Sequence, residues 1–142
     1  MVRNYFYLIV GFICLLSAFT HTIGGLSSVF PNLTTSIIEP NTKVIFTYIW
    51  HIIAGENIVF GIVLLILALN KNAVNDKLTV WLIMAVLIVR WVIIIITYFI
   101  LSNNISDITI LIPESIVMWG LIILLWFGLK KKSKIISNKN VL

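Results

Sequence analysis

Cysteine is nearly absent from this chain. Its 142 residues include one, Cys14, which excludes an internal disulfide and any CxxC redox or multi-thiolate zinc motif. Charge is scarce too: 11% of the residues are Asp, Glu, Lys or Arg. Histidine occurs twice, as His21 and His51, so titratable chemistry has few carriers. Phosphate-loop, dinucleotide-fingerprint, HExxH, CxxCH, TVGYG and nucleophile-elbow patterns are all missing. Ile13 precedes Cys14 where a lipobox would need a small residue.

What remains is apolar. Hydrophobic residues make up 61% of the chain and its mean hydropathy is +1.12, whereas soluble domains are about 45–50% apolar. Half of the positive charge stands in one C-terminal run, Lys130–Lys134 with Lys139. A nucleic-acid partner is therefore not expected, since a basic binding face would be spread over a folded surface. The partner implied is the lipid bilayer, around a single membrane domain spanning residues 1–142.

Four apolar runs are long enough to cross a ~30 Å hydrocarbon layer. Helices are expected over residues 5–26, 44–69, 78–101 and 108–129. A cleaved signal peptide is the rival reading of the first run, given Ser17-Ala18-Phe19. The run continues past that point without a break, which favours an uncleaved helix. Along it Gly11, Cys14, Ser17, Ala18, His21, Gly24, Gly25 and Ser28 fall on one stripe. Small residues so arranged let a second helix approach closely in lipid. Residues 27–43 read as the longest connection, since they hold Pro31 and Pro40 and their apolar middle is too short to span. The polar stretches 70–77 and 102–107 read as turns.

Arg3, Lys71, Lys77 and the C-terminal lysines all lie on one side if four helices cross. The opposite loops carry Lys43 beside Glu39 and Asp107. The positive-inside rule then puts both termini and the middle turn in the cytoplasm. The expected fold is all-α, an antiparallel four-helix transmembrane bundle, multi-pass in a cell membrane. The Asn-, Lys- and Ile-rich usage suggests a bacterial cytoplasmic membrane. Trp50, Trp81, Trp119 and Trp126 read as aromatic belts near helix ends.

Ionisable groups inside the spans carry the functional signal, because each costs at least ~2.5–3.5 kcal/mol at mid-depth. Counted from the outer ends of their helices, His21, His51 and Glu114 lie roughly 8–11 Å deep, and Glu56 and Arg90 roughly 16–18 Å. Glu56 and Arg90 are the expected ion pair, either fixing helix register or flooring a pocket. His51 and Glu56 stand five residues apart, about 140° around the helix. Both face inward only if the buried sector is wide or Gly55 distorts the helix.

The shallower trio suggests a polar pocket in the outer half, taking a small or lipophilic ligand and exchanging protons with it. Its candidate ligand-binding residues are His21, His51, Glu56, Arg90 and Glu114. An alternative is a membrane enzyme with His51 and Glu114 as catalytic acid and base on a lipid or quinone-like substrate. Desolvation moves carboxyl and imidazole groups toward neutral titration, as proton transfer prefers. A third reading is a structural accessory or immunity-type subunit, with homo-oligomers open to it. Two histidines could ligate haem iron, and two with Glu114 could hold zinc. With no matching motif, no metal ligand is assigned; a histidine hydrogen-bonded to Glu114 is the simpler reading, and the cofactor stays open.

His21 with Gly24, Trp50 with Gly55 and Gly61, and Pro113 near the start of the last helix resemble the DoxX-like group of small four-helix bacterial membrane proteins. Some of these are associated with quinone-linked redox enzymes, so the resemblance implies a lipophilic or redox partner. His51, Glu56 and Arg90 belong to no part of that pattern, and the resemblance assigns no site residue.

Overall fold

The computed structural model describes residues 4–70, 76–101, 109 and 111–139. Among them the structure is helical with no strand: α1 (Tyr5–Gly24), a π-helical segment (Gly25–Val29), α2 (Phe30–Thr35), α3 (Pro40–Leu69), α4 (Asp76–Leu101) and α5 (Leu111–Lys139). Four stretches are long and apolar enough to cross a membrane, namely Tyr5–Thr35, Pro40–Leu69, Lys77–Ile100 and Leu111–Lys130. The expected all-α, four-helix membrane class is what the chain adopts. Most of the expected 70–77 turn and all of the 102–107 loop lie outside the described residues.

The first connection differs from expectation. Residues 25–35 stay helical and α3 starts at Pro40, so residues 36–39 alone separate the first two spans. Pro31 does not break the helix because the turn before it is widened: the Phe30 N–H bonds the Gly25 carbonyl, five residues back. A proline ring normally clashes with the carbonyl four residues earlier, and a π turn relieves that crowding. The hydroxyls here are satisfied locally. Ser28 Oγ donates to the Gly24 carbonyl at 2.8 Å, and Thr34 Oγ1 to that of Pro31 at 2.8 Å. Such back-bonding lets a polar sequence remain helical. At the corner Lys43 Nζ donates to the carbonyls of Thr34 and Ser36, at 3.1 and 2.9 Å. A cation there complements the exposed carbonyls of a helix C-terminus.

The last helix also outruns expectation, continuing past Leu129 to Lys139. Hydropathy marks where an apolar run stops, whereas lysine is a good helix former in water.

Two compact units divide the chain, Leu8–Ile66 and Met1–Tyr7 with Leu67–Leu142. In the first, α1 and α3 run antiparallel. Contacts join Gly11 to Gly61 and Ser17 to Asn57, so one number rises as the other falls. The small-residue stripe is the packed face: Gly11, Cys14, Ala18 and Gly25 are buried on α1, and Ala54, Asn57, Gly61 and Leu64 on α3. The opposite side of α1 exposes Ile9, Phe12, Leu16, Phe19 and Ile23, at alternating four- and three-residue steps, as a lipid-facing stripe requires.

In the second unit α4 and α5 run antiparallel, with Trp81 on Trp126 (ring centroids 5.6 Å apart) and Trp91 on Trp119 (5.3 Å). Val80, Ile83, Met84 and Leu87 of α4 are buried, as are Leu121, Ile122 and Leu125 of α5. Asn4 ties the remaining helix ends to them. Its N–H donates to the Ala68 carbonyl at 3.4 Å and its side-chain amide to that of Gly128 at 3.0 Å. The Asn4 Oδ1 accepts from the Phe6 and Tyr7 N–H groups, capping α1. The start of α1, the end of α3, the start of α4 and the last membrane turns of α5 therefore share one rim. This is the grouping that the lysine pattern implies.

Candidate functional site

The unit of residues 8–66 contains a cluster of four rings. His21, half-buried near the end of α1, lies flat against Trp50 of α3, with centroids 4.0 Å apart and planes 9° from parallel. The Trp50 Nε1–H donates to the His21 carbonyl at 2.9 Å. Gly25, one helical turn after His21, makes room for the indole, since a Cβ there would collide with Trp50 Nε1. Phe30 meets Trp50 edge-on at 6.3 Å and His51 at 5.4 Å. The order along the cluster is His21, Trp50, Phe30, His51. It brackets the π segment, a helix irregularity that recurs at functional sites.

His51 is exposed, as are its neighbours Ile49 and Ile52, while Glu56 is half-buried and Asn57 is buried. The 140° offset between His51 and Glu56 is thus realised as two different faces of an unbroken helix. Gly55 introduces no distortion, and a Cβ on it would meet open space. The buried Asn57 makes a part-buried contact to α1, its Nδ2 donating to Ser17 Oγ at 3.5 Å.

Arg90 and Glu114 belong to the other unit. Arg90 is half-buried in α4 and Glu114 is exposed in the first turn of α5, where the helix dipole favours a carboxylate. Each directly precedes a partner in one hydrogen bond, from Trp91 Nε1–H to Ser115 Oγ at 3.1 Å. The ring pairs Trp81–Trp126 and Trp91–Trp119 set Arg90 opposite roughly Val117 of α5, so Glu114 stands about one helical turn nearer the end where α5 begins. His51 stands eleven residues into α3, but the first turn, Asn41–Lys43, is polar, so its depth is still counted from Val44, roughly 10 Å away along the helix.

Of the five sequence-derived candidates, His21, His51 and Glu56 thus share one unit, and Arg90 and Glu114 the other. The cluster links the two histidines through Trp50 and Phe30, which sequence reasoning assigned to the membrane belt or passed over. The available signal was Gly25, a residue without a side chain one turn after His21. Among the described residues no three of His, Cys, Asp and Glu gather in a way that could hold a metal ion.

Four membrane-length apolar helices define a small, multi-pass integral membrane protein. No family model matches the chain, and no curated protein or solved structure matches it.

Proposed function

We propose that the protein binds a small lipophilic ligand against the ring cluster of His21, Phe30, Trp50 and His51, in the outer half of the membrane. The exposed His51 imidazole carries this reading. An imidazole held on an apolar helix surface is costly in lipid unless something polar meets it. A ligand with a polar head and a flat or apolar body satisfies that need. His51 would donate or accept a hydrogen bond and exchange a proton with the head, while Phe30 and Trp50 offer ring surface to the body. His21, fixed by its stack on Trp50, would hold the indole in place. Two residues of the DoxX-like resemblance, His21 and Trp50, form the stacked pair, which favours a quinone-like ligand within the lipophilic class. Glu56, Arg90 and Glu114 take no assigned part.

The test is the organic extract of full-length protein purified in mild detergent, analysed by mass spectrometry and by its redox difference spectrum. The wild type should carry a lipophile at near-stoichiometric amount that His51→Ala, equally helical by circular dichroism, has lost. Extracts containing phospholipid alone, or identical for the two proteins, would exclude the ligand reading.

A further inference from the structure

A second site lies on the rim of the other unit. Trp81 and Trp126 meet edge to face at 5.6 Å, and both are exposed, at 47% and 41%. Lys77 comes one helical turn before Trp81 on α4, and Lys130 one turn after Trp126 on α5. Because the helices are antiparallel, both steps lead the same way, toward the shared rim. The two lysines stand above the two indoles, about 6 Å further out along the helices. Both are exposed, and the Lys130 ammonium lies 5.3 Å from the centre of the Trp126 ring. That contact orients the Lys130 stem along the indole with its charge at the rim.

Charge concentrates on this rim. Arg3, Lys71, Lys77, Lys130, Lys131, Lys132, Lys134 and Lys139, eight of the ten basic residues, belong in sequence to the segments before Tyr5, between Leu69 and Leu78, and after Leu129. Of the five acidic residues only Asp76 does, and none follows Glu114 in the chain. The α5 backbone stays helical through Lys139, so the lysines after Lys130 follow directly on the membrane span. Leu78 and Leu82 flank the tryptophan pair and are exposed.

We propose that Lys77 and Lys130, above the Trp81–Trp126 pair, form a binding site for the headgroup phosphate of an anionic phospholipid. Two ammonium groups make charge-assisted hydrogen bonds to phosphate oxygens. The indoles lie at the depth of the glycerol backbone, where tryptophan prefers to sit, and the exposed Leu82, Val86 and Val89, further in along α4, continue the surface along the acyl chain. This apolar continuation selects a lipid over free phosphate. The later lysines raise the local concentration of anionic lipid without forming the site, each contributing about 1 kcal/mol near a charged surface.

Tryptophan emission of the full chain in phosphatidylcholine vesicles tests this, with a minor fraction of dibrominated phosphatidylglycerol or, in parallel, dibrominated phosphatidylcholine as quencher. The wild type should be quenched several-fold more strongly by the brominated anionic lipid. Lys77→Gln/Lys130→Gln should fall to the phosphatidylcholine level, and Lys131→Gln/Lys132→Gln/Lys134→Gln should keep most of the excess. Equal quenching of the wild type by the two lipids would overturn the site. So would a double variant that keeps the excess, or a triple variant that loses as much as the double.

Discussion

The indole of Trp50 contacts His21 twice, stacking on its imidazole at 4.0 Å and donating its N–H to the carbonyl of the same residue. One side chain thus fixes both the ring and the backbone of its partner. That pins the end of α1 to α3 at the point where the first span widens into its π turn.

Trp50→Phe keeps a ring on His21 and removes the donor, so it should lower stability by about 1 kcal/mol. Trp50→Ala removes the stack too and should cost about 0.5–1.5 kcal/mol more than that. SDS titration of the folded protein in mixed micelles, followed by circular dichroism, measures both. Because His51 is exposed, His51→Ala should leave the same unfolding curve almost unmoved while it removes the bound lipophile.

Glycines on α3 should respond in opposite directions. A Cβ on Gly61 would stand 2.6 Å from Leu15 Cγ and 3.0 Å from the Gly11 carbonyl oxygen. Gly61→Ala must push α1 away and should destabilise by about 1–3 kcal/mol. At Gly55 nothing lies within 4 Å of the added carbon, and Gly55→Ala should be neutral or stabilise by up to about 1 kcal/mol through helix propensity. The same SDS titration compares them; equal losses would contradict the close crossing at Gly11 and Gly61.

Ser115→Ala removes the acceptor of the Trp91 indole N–H. Interhelical hydrogen bonds in membranes average about 0.6 kcal/mol, and a loss of that order is expected. Ser115→Thr keeps the hydroxyl and should recover most of it.

How far these features were legible in the sequence depends on their range. The four spans could be read because lipid demands a long unbroken apolar run, a local property. The packed stripe of α1 could be read because Gly11, Cys14 and Ala18 recur at helical spacing. Residues 25–39 could not, because Pro31, Ser27 and Thr34 are turn-formers in isolation. Their helical state depends on a widened turn and on hydroxyls that bond back within the same segment. The partners of His21 were hidden for another reason: Trp50 sits where aromatic belts form, and its specific contact requires knowing that Gly25 faces it.

The lysine distribution predicts an orientation in the membrane, with both termini in the cytoplasm. Single cysteines introduced into a Cys14→Ala background should be labelled by an impermeant maleimide on intact cells at positions 32 and 104. They should be protected at 71 and 131. Labelling at 71 before permeabilisation would invert or refute the arrangement.

Asn4 and Gly128 are separated by 124 positions in the chain, which bears on how the protein is made. Ribosomes deliver residue 4 long before residue 128, so the amide that closes this edge has no protein acceptor at Gly128 until α5 has entered the bilayer. α1 and α3 can already pair through Gly11, Gly61, His21 and Trp50, while the side-chain amide of Asn4 waits at the water boundary. Insertion of α5, rather than of any earlier span, becomes the moment at which this edge is sealed.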